Sequence, residues 1–205
     1  MYNFEFEDRV FSGQLIADIR KSWDYFFPLS DEEFFQKLAR LKQKSFKKNQ
    51  YLLTKGEVCS EYFFLTKGAT KYIQEKDTEE FIIDFNFEGE WCGDYYSFST
   101  QKPSYLSIKA IEDVEVFALS HHDNCALREK NSNYEKLEFN MLRAAYFLAL
   151  NRLIQFKSNS HEENYLQLLH HRPFIFKRVK IHDIATYLGI TPSSLSRIRR
   201  KILKR

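Results

Sequence analysis

The stretch Ile181-His182-Asp183-Ile184-Ala185-Thr186-Tyr187-Leu188-Gly189-Ile190-Thr191-Pro192-Ser193-Ser194-Leu195-Ser196-Arg197-Ile198 decides how this chain is read. Ile181, Ile184, Ala185 and Leu188 recur at helical spacing and give a short helix one apolar face. Gly189 permits the tight left-handed turn that a side chain would resist, and Ile190 plugs the corner behind it. Thr191 then acts as a cap with Pro192 at the first helical position, so a second helix begins at once. Together the residues from Ile181 to about Leu203 predict a helix-turn-helix.

On the second helix Leu195, Ile198 and Ile202 fall inward, which leaves Ser193, Ser196, Arg197, Arg200 and Lys204 on the opposite side. A helix fits the major groove of DNA. There Arg197 can span the O6 and N7 atoms of guanine, while the short hydroxyls of Ser193, Ser194 and Ser196 donate or accept at neighbouring bases. Lys180, Thr191, Arg199, Arg200, Lys201 and Arg205 are placed for phosphate oxygens, which add affinity without reading sequence. The charge distribution agrees. Residues Arg172 to Arg205 hold ten Lys or Arg against the single acid Asp183, in a chain whose net charge is only +3. The basic end is where a polyanion would bind, and double-stranded DNA is the expected partner.

Upstream, residues Asn133 to Phe156 contain neither Gly nor Pro and predict one uninterrupted helix. Within it Leu137, Met141, Ala144 and Leu148 follow four-three-four spacing, and Phe139, Leu142, Tyr146, Leu153 and Phe156 add further apolar surface. One buried face does not need so much. A β domain on one side and a second copy of the chain on the other would cover it, so Leu137, Met141, Ala144 and Leu148 are the expected dimer residues of a homodimer. Lys157 to Ser160 reads as a linker, followed by a helix from His161 to about His171 that Pro173 stops. A β wing beside the helix-turn-helix would have to lie in Phe174 to Lys180 or be absent.

Before the long helix the pattern is that of strands. The first forty residues read as helical, with Leu15, Ile16, Ile19 and Trp23 on one face and a capping box opening at Ser30-Asp31-Glu32-Glu33. Short aromatic and β-branched runs follow at Tyr51–Leu53, Tyr62–Leu65, Lys71–Ile73, Phe81–Phe85, Tyr105–Ile108 and Val114–Phe117. Glycines at Gly56, Gly68 and Gly89 mark their connections, and 20 Phe with 12 Tyr favour strands, so a sandwich or barrel is expected. Helical spacing returns near His121.

Several function classes lose support on composition. No run approaches a membrane-spanning length, and the acidic Met1 to Asp8 lacks the basic start of a signal peptide, so a cytoplasmic protein without membrane contact is expected. Cys59, Cys92 and Cys125 lie far apart and form no C-x-x-C pair, which argues against a disulfide framework or a metal site. A metal enzyme on a β-barrel needs a His-x-His on strands, and Tyr51 to Phe117 contains no His. No catalytic residues and no enzymatic role are expected. The competing non-enzymatic reading is a ligand-binding or protein-interaction module with no specific DNA site.

With a β-rich front, a long central helix and this ending, the chain resembles the cyclic-AMP receptor and fumarate-nitrate regulator (Crp/Fnr) family of bacterial transcription regulators. Thr54-Lys55-Gly56-Glu57 and Leu65-Thr66-Lys67-Gly68 resemble its jelly-roll turns. Leu188-Gly189-Ile190-Thr191 with Leu195-Ser196-Arg197-Ile198 resembles its DNA-reading motif. The resemblance implies an α+β chain with an N-terminal jelly roll of cyclic-nucleotide-binding type (1–130), a dimerisation helix (131–157) and a C-terminal helix-turn-helix domain of winged-helix type (158–205). It also implies a near-palindromic operator, and RNA polymerase as a further partner.

In relatives that bind cyclic nucleotides, a Gly-Glu pair precedes a short helix and an Arg neutralises the phosphate. Gly89-Glu90-Trp91-Cys92-Gly93-Asp94 resembles this cassette, with Asp94 where the ribose-binding Glu would be and Ser104 near the position of the Arg. No Arg lies between Asp94 and Ala110. Lys102 offers a point charge but not the bidentate fork, so the resemblance does not extend to cyclic-AMP binding and no cofactor is implied. An effector pocket would be lined by Gly93, Asp94, Tyr95, Lys102 and Ser104, or be filled by Tyr95, Tyr96, Phe98 and Tyr105 as core. Cluster-bearing relatives need cysteines near the N-terminus, and His121-His122 and His170-His171 are adjacent pairs unsuited to one haem, so neither group is expected.

Overall fold

The structure, a computed structural model, describes residues 3–6, 9–77 and 79–202, with side chains from Phe11 onward. Leu203, Lys204 and Arg205, which the sequence places at the end of the last helix, lie outside the described residues, as do Met1, Tyr2, Glu7 and Asp8. The chain divides into two compact units. The first runs to Tyr72 and resumes over Phe85–Arg143, and the second combines Ile73–Asp84 with the chain from Ala144.

The first unit opens on an antiparallel hairpin of β1 (Asn3–Phe6) and β2 (Arg9–Ser12), with Phe4 opposite Phe11. This corrects the expectation of helix throughout the first forty residues: Asn3-Phe4-Glu5-Phe6 alternates with period two, which is a strand pattern. Helix α1 (Gly13–Asp24) starts where the Ser12 hydroxyl accepts from the amide of Leu15, and it buries Ile19 and Trp23. Helix α2 (Asp31–Leu38) carries the predicted capping box in full, Ser30 and Glu33 each bonding the other's amide. Such a cap contributes about 1 kcal/mol, enough to fix where a helix of eight residues begins.

The strands that follow are β3 (Lys42–Phe46), β4 (Tyr51–Leu53), β5 (Glu61–Lys67), β6 (Thr70–Lys76), β7 (Glu79–Asn86), β8 (Trp91–Cys92), β9 (Ser107–Ala110) and β10 (Val114–Ser120). They form two four-stranded sheets in the orders β3-β10-β5-β8 and β4-β9-β6-β7. Five of the predicted runs lie wholly within strands, and the run Tyr105–Ile108 does so only from Ser107, because Tyr105 and Leu106 form a bend ahead of β9. The two that sequence reasoning missed are β3, a polar edge strand, and β8, which has only two residues. A short helix α3 (Tyr95–Thr100) lies between β8 and β9, and α4 (His121–Lys130) follows β10.

Phe11, Ile19, Trp23, Phe34, Leu38, Phe64, Phe117, Tyr134 and Leu137 make one buried cluster of the first unit. Each large side chain there contributes about 1.5–3 kcal/mol of burial, so this cluster ties α1, α2 and β10 to the start of the long helix. That helix, α5 (Ser132–Ser158), has 27 residues and extends into the second unit. The second unit continues through α6 (His161–His171), α7 (Ile175–Arg178), α8 (Ile181–Tyr187) and α9 (Pro192–Ile202). Helix α6 repeats the capping-box device with Ser160 and Glu163. No wing strand occupies Phe174 to Lys180. That stretch is a helical turn, α7, because Ile175 is fully buried and Val179 closes the turn with its amide on the Ile175 carbonyl.

Candidate nucleic-acid interface

Helices α8 and α9 are joined as the sequence predicts. Ile184, Ala185 and Leu188 are buried, and the amides of Gly189 and Ile190 bond the carbonyls of Thr186 and Ala185, which closes α8 in a Schellman turn. Gly189 holds φ at +67°, a backbone conformation that costs any other residue. Thr191 then caps α9: its hydroxyl accepts from the amide of Ser194 at 3.2 Å, with Pro192 as the first helical residue. The turn between the two helices is thus closed by local bonds on both sides, whereas Lys180, the N-cap residue of α8, makes no side-chain cap bond.

Leu195 is fully buried under α9, and Ile198 and Ile202 are half-buried on the same side. Ser193, Ser196, Arg197, Arg200 and Lys201 are exposed, and Ser194 and Arg199 are half-buried. The four candidate base readers do not stand alike. The hydroxyls of Ser193 and Ser194 lie 2.9 and 3.0 Å from the Thr191 hydroxyl and serve the cap. Ser196 and Arg197 are exposed and take no part in the cap, and Arg197 has no ion pair among the described residues. Of the candidate phosphate contacts, Lys180 is the exposed N-cap residue of α8, while Lys201 is paired with Glu162 of α6 at 2.5 Å. Lys201 is exposed and Glu162 half-buried, so the pair is modest in strength and Lys201 can be traded to a phosphate.

The long helix presents a second surface. Leu137 is 1% exposed and Met141 packs against the same core cluster, so the first half of the expected dimer stripe is covered within its own chain. This corrects the reading of the Leu137, Met141, Ala144 and Leu148 spacing as a single face. Ala144 is half-buried and Leu148 is exposed. Phe139, Leu142, Tyr146, Ala149, Leu153 and Phe156 form the alternative stripe, spaced three-four-three-four-three, and every one of them is exposed. Nine large apolar side chains between Phe139 and Phe156 are exposed, a quantity that water alone does not tolerate well.

The cassette region is closed on itself. Asp94 caps α3 by accepting from the Ser97 amide and takes a 2.6 Å hydrogen bond from the buried Ser104 hydroxyl. The Gly93 amide donates to the Tyr72 hydroxyl at 2.9 Å, and the Tyr62 ring fills the space where a Gly93 side chain would sit. Tyr95 donates to Glu138 of α5, and Lys102 is exposed. Of the four aromatics expected as core, Phe98 is buried, but Tyr96 and Tyr105 stack on one another outside at 5.5 Å. Tyr62 and Tyr72, both half-buried, pack against the cluster of Leu53, Cys59, Phe98 and Ile108 instead, and no alternation of burial along their strands marks them.

A β-rich front, a long helix and a group of C-terminal helices make this the architecture of Crp/Fnr-like structures. Residues 43–131 match the family described as cyclic nucleotide-binding domain. In fold the chain is similar to FixK2 from Bradyrhizobium japonicum, with a TM-score of 0.70 at 16% identity over 80% of this chain and 85% of that one. It is similar to the Thermus thermophilus Catabolite Activator Protein at a TM-score of 0.55 and 16% identity, over 87% and 86% of the two chains. A cyclic nucleotide-binding domain from Methylobacillus flagellatus matches with a TM-score of 0.61 and 17% identity, over 72% of this chain and 86% of that one. No curated protein matches the chain by sequence. Among the described residues no helix is long and apolar enough to cross a membrane.

Proposed function

We propose that the chain is a transcription regulator of Crp/Fnr type that binds a near-palindromic DNA operator as a homodimer and carries out no catalysis. The observation that carries this reading is α9, whose outer side offers Ser196, Arg197 and Arg200 to solvent while Leu195 is locked beneath. In this reading Arg197 and Ser196 contact base edges, with Ser193 and Ser194 following once the cap hydroxyls rotate. Lys180, Thr191, Arg199, Arg200 and Lys201 contact phosphates. The exposed stripe of α5 pairs with its copy in a second chain, which sets two reading heads about one helical turn, or ~34 Å, apart on the duplex. The proposed division is a jelly roll to residue 130, a dimer helix to 157 and a DNA-binding domain beyond it. A regulator of this kind works in the cytoplasm and acts on RNA polymerase. Its jelly roll, closed by Asp94 and Ser104, takes no cyclic AMP; Gly93, Tyr95 and Lys102 would flank any other effector.

Selection of bound sequences from a random DNA pool, with the purified chain at near-physiological salt, tests the reading. An enriched inverted repeat whose binding is lost in Arg197→Ala, with fold and dimer intact, supports it. Salt-sensitive binding without enrichment, or no binding, overturns specific readout and favours a ligand-binding or protein-interaction module.

A further inference from the structure

Asp84, on β7, is the meeting point of two arginines within the second unit. Arg152 of α5 donates to both of its carboxylate oxygens, at 2.5 and 3.1 Å, and Arg172, at the C-terminal end of α6, approaches to 3.7 Å. The three side chains are 28, 31 and 27% exposed, so water screens them less than an open surface pair. A bidentate fork also fixes the plane of the guanidinium, which a single bond would not.

That plane is used. The Arg152 guanidinium lies 4.9 Å from the centre of the Tyr187 ring, and Tyr187 is the last residue of α8, two positions before the Gly189 turn. One turn further along α5 the ring of Phe156 meets Gly189, with ring carbons 2.9 and 3.1 Å from the position a Cβ would take. Helix α5 therefore holds the helix-turn-helix at two successive turns. Phe156 makes one contact by shape alone. Arg152 makes the other, and its orientation depends on a carboxylate supplied by a distant strand.

We propose that Asp84 is a positioning residue for the helix-turn-helix: by fixing the Arg152 guanidinium on Tyr187, it sets the pose of α8, and with it α9, on α5. Lysine at 152 would keep the charge but could not bond both oxygens and stack at once. The consequence for DNA rests on the function proposed above; the consequence for α8 does not.

The test uses the full chain carrying Asp84→Asn, Asp84→Glu, Arg152→Lys, Arg152→Ala or the double change Asp84→Asn/Arg152→Ala. Amide hydrogen exchange without DNA reads the pose directly. In Asp84→Asn the amides of Leu188, Gly189 and Ile190 are expected to exchange roughly tenfold faster while those of β5 and β10 keep their rates. Affinity for the selected operator is expected to fall roughly tenfold with the salt slope unchanged, because no phosphate contact is lost. Asp84→Glu restores both readouts, Arg152→Lys reproduces the loss with charge retained, and the double variant is no worse than Arg152→Ala. Unaltered exchange in both Asp84→Asn and Arg152→Lys overturns the proposal, as does an additive double variant. If the unaltered chain selects no operator, the DNA-binding reading fails and the exchange measurement still decides the role of Asp84.

Discussion

The hydroxyl of Ser104 donates a 2.6 Å hydrogen bond to the carboxylate of Asp94, so the two positions that would face a phosphate and a ribose face each other. Asp94 also caps α3, and the Ser104 hydroxyl accepts from the amide of Leu106 at 3.2 Å. A nucleotide could enter only by breaking this knot, and it would find no guanidinium in exchange. Millimolar cyclic AMP is expected to leave the melting temperature unchanged. Asp94→Ala is expected to lower stability by about 1–2 kcal/mol, since it removes the α3 cap and one bond of the Ser104 hydroxyl, which keeps the Leu106 carbonyl at 2.9 Å as an acceptor. Calorimetry on both, with and without nucleotide, checks this; a shift in the unaltered chain would mean the cassette opens.

Gly189→Ala is expected to cost about 1–2 kcal/mol, because a positive φ and the Phe156 ring both oppose a side chain there. Urea unfolding measures it. Adding Phe156→Ala relieves the collision but not the backbone, so the double variant should keep part of the glycine penalty while losing a contact of its own.

The two sides of α5 should respond oppositely to substitution. Leu142→Asp and Tyr146→Lys, on the exposed stripe, are expected to dissociate a dimer with little effect on the melting of the monomer. Leu137→Ala is expected to cost about 2–5 kcal/mol of folding stability, because Leu137 sits in the core of its own chain. Sedimentation equilibrium beside thermal melts separates the outcomes, and a monomer in the unaltered chain would remove the dimer from the scheme.

Lys37 gives the fold a particular dependence on pH. Its ammonium is buried between the rings of Trp23 and Tyr134, with the Asn124 amide oxygen at 3.4 Å, and burial pulls its pKa from 10.5 down to about 8 despite the charge of Glu138. A folded pKa below the unfolded one means that burying the charge costs stability at all pH values below about 8. As pH rises from about 8 to 10.5 the native state has lost the proton that the unfolded chain retains, so stability gains up to about 1.4 kcal/mol per unit. Burial raises the thiol of Cys59 to about 11 and the phenol of Tyr134 to about 12, which pulls the opposite way at higher pH. The informative quantity is therefore the difference from Lys37→Met, in which Glu138 keeps Tyr95, Asn124 and Arg128. That variant is expected to be at least as stable near pH 7 and to lose the rise above pH 8; parallel curves would show that Lys37 does not titrate in this window.

The turn between α8 and α9 was legible because it has chemical markers, a glycine that closes α8 and a threonine that caps α9, as the capping box at Ser30 marks α2; the capping box at Ser160 reads in sequence only as a linker. Markers fail where structure depends on remote partners. Four-three-four spacing links Leu137 to Leu148, yet only the remote partners Trp23, Phe34 and Phe117 decide that Leu137 is buried, while Leu148 is exposed. Strand β3, Lys-Gln-Lys-Ser-Phe, is too polar to announce itself and exists because β10 offers it a partner from Val114 to Ala118. The triad of Asp84, Arg152 and Arg172 has no local signature, since its members come from a strand, a helix and a helix end.

The chain enters its second unit twice, once through the ends of β6 and β7 at Ile73–Asp84 and again through α5 from Ala144. A single joint in the gene therefore cannot transfer the C-terminal helices intact to another chain. A crossover near codon 144 would deliver Arg152 and Arg172 and leave their carboxylate behind. Inheritance of the second unit with its triad whole demands two matched pieces, so exchange between relatives should favour donors that already carry an acid on that strand.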